Sequence, residues 1–164
     1  MELIILIGLQ AAGKSTFYGN RFAATHKLIS KDLLRNHKKP ARRQMQLIEA
    51  SLQAQHSVVI DNTNPTAEER ELLIRLGHLY GAKVIGYYFE PQVSQSLERN
   101  KQRVLKAQVP DKAIYITAYK LVPPTYAEGF DKLYYVHIAG NSTPEDPKWV
   151  IEEALFQKIE DEHV

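Results

Sequence analysis

The sequence predicts one α/β domain over residues 1–164, with five parallel strands in a single sheet and helices on both of its faces. Three observations carry that expectation. Short apolar runs rich in β-branched residues stop at polar turns, as strands buried on both faces do. Between those runs the apolar period changes to that of a helix. The first run also ends in a glycine-rich turn that leads into a helix.

The first strand is Leu3 to Ile7, closed by Gly8. A short second strand is expected at Lys27-Leu28-Ile29, and a third over Ser57 to Ile60, ending in Asp61-Asn62-Thr63-Asn64-Pro65. The fourth covers Lys83 to Phe89 and stops before Glu90-Pro91; the fifth covers Lys132 to Ile138 and ends in Ala139-Gly140-Asn141. Ala41 to Gln55 places Met45, Ile48 and Leu52 at helical spacing. Thr66 reads as the N-cap of a helix from Ala67 to Tyr80, with Glu69 completing a capping box and Gly81 ending it. Val93 to Leu105 and Pro147 to Ile159 also read as helices. Strands alternating with helices require crossover connections, hence parallel pairing with both faces covered. No internal repeat or low-complexity linker divides the chain.

Composition excludes several classes. With no cysteine there is neither a disulfide framework nor a thiolate metal site. Six histidines are scattered without metal-ligand spacing. The 21 basic and 19 acidic residues leave a net charge of +2, too balanced to indicate a nucleic-acid partner. The first residues carry no basic leader, and Leu3 to Ile7 is far too short to cross a membrane. The expected location is the cytoplasm. Glu160 to Glu162 reads as a solvated helix tail.

Gly8-Leu9-Gln10-Ala11-Ala12-Gly13-Lys14-Ser15 matches the phosphate-cradle pattern G-x-x-x-x-G-K-[ST] at every fixed position, between a strand and a helix. Small residues at Gly8, Ala11, Ala12 and Gly13 let backbone N–H groups approach phosphates, and the following helix N-terminus adds partial positive charge. Lys14 can reach the β- and γ-phosphates, the Ser15 hydroxyl can ligate Mg²⁺, and Thr16 can assist on phosphate. The expected fold is therefore a P-loop NTPase of the kinase type binding ATP and Mg²⁺. A guanine-reading Asn-Lys-x-Asp motif fails, because Asn100-Lys101-Gln102-Arg103 ends in arginine and lies in an expected helix.

Three further groups could serve transfer. In Ser30-Lys31-Asp32-Leu33-Leu34-Arg35, Ser30 reads as an N-cap that sets Asp32 and Arg35 one turn apart on one helix face. Asp32 could take a proton from an attacking hydroxyl and Arg35 could hold an acceptor phosphate; the alternative is an exposed ion pair. Asp61 ends a buried strand, where it could serve Mg²⁺ through water or line the acceptor pocket with Asn62 and Thr63. Arg99 and Arg103 lie four residues apart on one expected helix face, in an arginine-bearing lid over about residues 99–121. Tyr87, Tyr88, Tyr134 and Tyr135 read as sheet residues rather than base-stacking platforms. By analogy with other P-loop kinases, Ala139-Gly140-Asn141 is the candidate adenine contact.

Taken in order, the P-loop, Ser30-x-Asp32-x-x-Arg35, Asp61-Asn62-Thr63-Asn64-Pro65, Arg99-Asn100-x-x-Arg103 with Val109-Pro110, and Pro124-Thr125-x-Ala127-Glu128-Gly129-Phe130 resemble the kinase domain of 5′-hydroxyl polynucleotide kinases, in the bacteriophage enzyme and in polynucleotide kinase-phosphatases. The resemblance implies ATP-dependent phosphorylation of a 5′-hydroxyl end of DNA or RNA. It implies Asp32 as general base, Arg35 on the acceptor's 3′-side phosphate, and Asp61 in the acceptor pocket. Lys14 and Ser15 would bind phosphates and Mg²⁺, with Arg103 and Arg99 as lid arginines on the ATP phosphates. No phosphatase module and no Asp-x-Asp nucleophile motif is present, so end repair would need a separate phosphatase or ligase partner. The alternatives are a kinase of a small metabolite such as a sugar or nucleoside, or a non-catalytic ATP-dependent nucleic-acid switch.

Overall fold

Residues 2–7, an uninterrupted aliphatic run after Glu2, form the central strand of the sheet, and every side chain from Leu3 to Ile7 is fully buried. The computed structural model describes residues 1–143 and 145–155. In chain order its elements are β1 (Glu2–Ile7), α1 (Lys14–Arg21), β2 (Lys27–Ile29), α2 (Pro40–Gln53), β3 (Val58–Asp61), α3 (Ala67–Leu79), β4 (Lys83–Phe89), α4 (Val93–Gln102), α5 (Asp111–Lys120), β5 (Lys132–Ile138) and β6 (Trp149–Glu153). Single 3₁₀ turns stand at Lys31–Leu34, Leu105–Ala107 and Tyr126–Glu128.

The strands lie in the order β2-β3-β1-β4-β5-β6. The first five are mutually parallel, with Ile5 beside Ile60 on one side and Gly86 on the other. Successive β1 side chains point to opposite faces, which splits the apolar interior in two. Leu3, Ile5 and Ile7 pack with Ile48 and Leu52 of α2 and with Leu73 and Ile74 of α3. Ile4 and Leu6 pack with Phe17 of α1, Phe22, Tyr87 and Phe89. This arrangement puts the carboxyl ends of β1 and β3 side by side, which is where ligands of such sheets bind.

Two expectations are corrected. The sheet has six strands rather than five, and the sixth occupies part of the expected Pro147–Ile159 helix. Trp149-Val150-Ile151 joins an aromatic to two β-branched residues, which suits a pleated surface, and β5 offers an open edge. The sixth strand pairs there antiparallel, with Ile151 opposite Val136. Positions 147–148 and 154–155 of that expected helix are not helical either; its last four positions, 156–159, and Glu160 to Glu162, lie outside the described residues. Helix α4 also ends three residues early, at Gln102, and Arg103 is already extended (φ −70°, ψ 152°). Arg99 and Arg103 therefore do not share a helical face.

Of the remaining local readings, Thr66 does cap α3, though among the described residues no return bond from the Glu69 side chain completes a capping box. Thr66 Oγ1 accepts from the Glu69 N–H, and Gly81 adopts the left-handed φ of +74° that ends α3. Tyr87 stacks on Tyr134 across paired strands, with ring centres 5.0 Å apart. Among the described residues no helix is long and apolar enough to cross a membrane.

A buried ion pair braces the rear of the site. Arg70 of α3 is completely buried and forks onto Glu128, Nε to Oε1 at 2.7 Å and Nη2 to Oε2 at 3.2 Å. Its Nη1 donates to the carbonyls of Asn64 and Val122. Glu128 also accepts from the Thr125 N–H and closes a capping box on the Tyr126–Glu128 turn. The Pro124-to-Phe130 segment is thus an anchor for Arg70 and for the loop after β3.

Candidate phosphate-transfer site

The P-loop conformation follows from its small residues. Gly13 has φ +91°, and a Cβ there would lie 2.6 Å from the Trp149 ring, so only glycine fits. Ala11 holds a left-handed φ of +55°, the kind of local strain that persists where surrounding structure fixes it. The loop is tied down from β3: the Gly8 N–H donates to the Thr63 carbonyl at 3.0 Å, and Asn64 Nδ2 donates to the Leu6 carbonyl at 2.8 Å. Helix α1 then starts at Lys14 with no side chain capping its N-terminus, leaving its first N–H groups to a ligand.

Lys14 is buried, and its Nζ donates to the carbonyls of Gly8 and Leu9 at 2.8 and 2.7 Å. Burial lowers its pKa to about 8, against the pull of Asp61 and Asp32 and reinforced by the positive charge of Arg103. The charges of three separately predicted residues thus act on the phosphate lysine. Ser15 Oγ donates to Asp61 Oδ2 at 2.7 Å. Thr16 is exposed on the first turn of α1.

Asp32 stands on the 3₁₀ turn after β2, where Ser30 Oγ accepts its N–H at 3.2 Å. Its carboxylate is exposed and joins no ion pair among the described residues. The exposed Asp32–Arg35 pair does not form; Arg35 instead donates from Nη1 to the Lys106 carbonyl at 2.9 Å. Asn62 accepts the Lys31 N–H at 2.9 Å and donates to Gln44 of α2 at 2.7 Å. Its amide is therefore occupied in holding the Asp32 turn and α2 against the end of β3. Thr63 contributes its carbonyl to the P-loop.

The segment after α4 is folded on itself. Asn100, buried, exchanges two hydrogen bonds with the Val109 backbone at 2.7 and 3.1 Å, which gives it a structural task unlike base reading. Gln108 Nε2 donates to the Arg103 carbonyl at 2.7 Å. Arg99, whose pKa burial lowers, lines a cleft with Ala12, Phe89, His137, Ile138 and Trp149. The Ala139-Gly140-Asn141 turn follows directly on that cleft; its Ala139 N–H donates to the Lys148 carbonyl at 2.8 Å, so the turn is bonded toward β6.

Two residues escaped the sequence reading. Gln10, a variable P-loop position, donates to Thr117 of α5 at 2.9 Å and fastens that helix to the loop. The sequence pattern puts Trp149 on a helix, and the signal against that is the β-branched pair that follows it. Among the described residues its buried indole N–H has no acceptor, and the buried Gln10 Oε1 has no donor.

Residues 3–120 match the family described as AAA domain, well over half of the chain. The chain belongs to that family. The AAA domain is also similar, at 26% identity over 133 residues, to the bifunctional polynucleotide phosphatase/kinase of Schizosaccharomyces pombe. That alignment covers 79% of this chain and 32% of the relative, so the chain spans about a third of the relative's length. Among solved structures it is similar to a gluconokinase from Sinorhizobium meliloti, with TM-score 0.59 and 17% identity over 83% of this chain and 82% of that one. It is likewise similar to Chaetomium thermophilum Kti12 in complex with ADP-AlF3, with TM-score 0.57 and 18% identity over 88% and 92% of the two chains. These structures establish an α/β P-loop kinase-like fold for this AAA domain.

Proposed function

We propose that this AAA domain transfers the γ-phosphoryl group of ATP to the 5′-hydroxyl end of a DNA or RNA strand. The observation that carries it is the position of Asp32: an exposed carboxylate that joins no ion pair among the described residues and whose charge acts on Lys14. The similarity to a bifunctional polynucleotide phosphatase/kinase, and the order of the acceptor-side motifs, support a nucleic-acid acceptor over other hydroxyls.

Each residue then has a task. Lys14 gives up its loop carbonyls for the β- and γ-phosphate oxygens. Asp32 accepts the hydroxyl proton as the acceptor oxygen bonds to the γ-phosphorus and the bond to the β-phosphate oxygen breaks, leaving ADP. Arg103, already within the field of Lys14, neutralises charge on the transferring group, and Arg99 flanks the nucleotide from the cleft. Arg35 holds the phosphate on the 3′ side of the acceptor.

The Ser15 hydroxyl and Asp61 carboxylate form a hard-oxygen pair suited to Mg²⁺, and they would hold it, Ser15 directly and Asp61 through water. The ion would supply charge neutralisation at the β- and γ-oxygens when bound with ATP. The hydrogen bond between the two residues supports the metal-side reading of Asp61 over an acceptor-pocket role.

The test is transfer of labelled γ-phosphate from ATP to a short 5′-hydroxyl oligonucleotide, with Lys14→Ala as the blank. Labelling that the blank loses supports the proposal. Nucleotide binding with no labelled oligonucleotide, but with a labelled sugar or nucleoside, assigns the site to a small metabolite instead. Binding with no acceptor labelled at all leaves the non-catalytic switch.

A further inference from the structure

We propose that the acceptor strand runs on from the Asp32 site across the first turns of α2, where Lys38, Lys39, Arg42 and Arg43 hold its phosphodiester oxygens. This rests on the nucleic-acid reading above and extends it from the end nucleotide to the strand behind it.

The near-neutral net charge conceals a strong asymmetry. Residues 35–48 contain Arg35, Lys38, Lys39, Arg42 and Arg43 and no carboxylate. Taking those five from the 21 basic residues leaves 16 against 19 acidic, a net −3 over the rest of the chain. Such clustering on an otherwise acidic molecule is the electrostatic footprint of a polyanion site.

The geometry keeps this charge available. All four cations are exposed, and among the described residues none of them is in an ion pair. Among the described residues the side-chain hydrogen bond these cations make is a long one, 3.4 Å from Arg43 to Gln46. An ordinary solvated helix face interleaves opposite charges, as α3 does with Glu71 and Arg75 at 2.8 Å. Here His37, Lys38, Lys39, Arg42, Arg43 and Gln46 surround an open depression of about 470 Å³, in which every lining residue is cationic or a hydrogen-bonding side chain. Helix α2 begins at this depression, with Pro40 in its first turn and no side-chain cap, so its partial positive charge adds to theirs.

The surface also lies in line with the chemistry. Gln44, on the buried side of α2 and next to Arg43, is bonded to Asn62, which in turn bonds the Asp32 turn at Lys31. Four residues of helix separate Gln44 from Pro40, about 6 Å along the axis. A strand whose end reaches Asp32 and whose first phosphate meets Arg35 would thus pass directly onto these cations. They offer charge and no shaped base pocket, so recognition would be of the backbone and independent of sequence.

The experiment compares wild type with a Lys38→Gln, Lys39→Gln, Arg42→Gln, Arg43→Gln variant on two acceptors: a 5′-hydroxyl oligonucleotide and a nucleoside 3′-monophosphate, which presents one phosphate only. In parallel, anisotropy of a labelled single-stranded oligonucleotide reports binding without transfer, and thermal melting confirms that the variant folds. The expected result is an oligonucleotide KM raised about 10–100-fold, with a log–log salt slope reduced by up to about 3 for four phosphate contacts on a single strand. KM for ATP, KM for the monophosphate and kcat stay as in wild type. An unchanged oligonucleotide KM and salt slope would overturn the strand path while leaving the kinase reading intact. Wild-type protein that binds the oligonucleotide salt-sensitively through these cations but phosphorylates neither acceptor would overturn the kinase reading and keep the surface. Binding to anionic phospholipid vesicles with no oligonucleotide binding would assign the surface to a membrane and overturn the proposal.

Discussion

The Ser15 hydroxyl donates to the Asp61 carboxylate across 2.7 Å, joining the first turn of α1 to the last residue of β3. That bond makes the two residues one unit, and removing either should act on Mg²⁺ dependence before anything else. Asp61→Asn is expected to raise the Mg²⁺ concentration for half-maximal transfer about 10–100-fold, the usual effect of losing an outer ligand partner. KM for the acceptor should stay within about twofold. A rise in acceptor KM with unchanged Mg²⁺ dependence would return Asp61 to the acceptor pocket.

Among the described residues the Asp32 carboxylate makes no hydrogen bond or ion pair, so its removal should leave the fold and the nucleotide site intact. Asp32→Ala is expected to lower kcat by about 10²–10⁴, the range of a lost general base, with nucleotide Kd unchanged. Near-wild-type turnover in that variant would sink the base assignment.

The buried Lys14 ammonium makes nucleotide binding pH-dependent in a defined window. Its pKa, lowered from 10.5 to about 8, leaves it charged below pH 8 and neutral above in the free protein. Phosphates favour the charged form, so ATP binding above pH 8 must take up a proton. Affinity should be flat below about pH 8 and weaken above it, by up to about tenfold per unit, with proton uptake visible by calorimetry in buffers of different ionisation heat. The sign for stability is the reverse. Between 8 and 10.5 the unfolded chain binds more protons at this site than the native one, so this group's contribution to stability rises with pH. Lys14→Ala should remove both trends.

Arg70 and Glu128 form an ion pair with side chains 0% and 13% exposed. Glu128→Gln leaves a fully buried guanidinium without its counter-charge and should cost about 3–5 kcal/mol, read as a lower urea midpoint at unchanged slope. Replacing both residues with leucine should cost less than that single change, because no charge is then buried alone.

How far the sequence spoke depended on whether a signal was local. The P-loop, Ser30 and Thr66 as caps and the aliphatic runs are local patterns, and all formed where expected. Arg70 could have been found from its register: it falls one and two turns before Leu73, Ile74 and Gly77 on the buried stripe of α3, where an arginine needs a counter-charge. Its partner 58 residues away could not. Arg103 was placed on a helix face because spacing takes no account of where α4 stops, and the Asn100–Val109 clasp that helps stop it closes over nine residues. Residues 149–153 fit either period, with Val150, Ile151 and Ala154 compatible with a helix stripe; only the open edge of β5 decided for a strand.

That edge strand supplies a built-in reporter. Trp149 is the single tryptophan of the chain, its ring meets Gly13, and it lines the cleft that holds Ala12 and Arg99. Its N–H is buried with no acceptor among the described residues, so a nucleotide filling the P-loop changes the polarity around a fluorophore that lies against it. Addition of ATP or ADP should shift or quench the intrinsic tryptophan emission saturably, at a midpoint equal to the Kd measured by calorimetry. Lys14→Ala should move that midpoint to higher nucleotide concentration, and Trp149→Phe should abolish the signal while binding persists. Emission that stays constant while calorimetry shows saturation would mean that the nucleotide enters from the side of α5 and Gln10 and leaves the β6 side of the P-loop untouched.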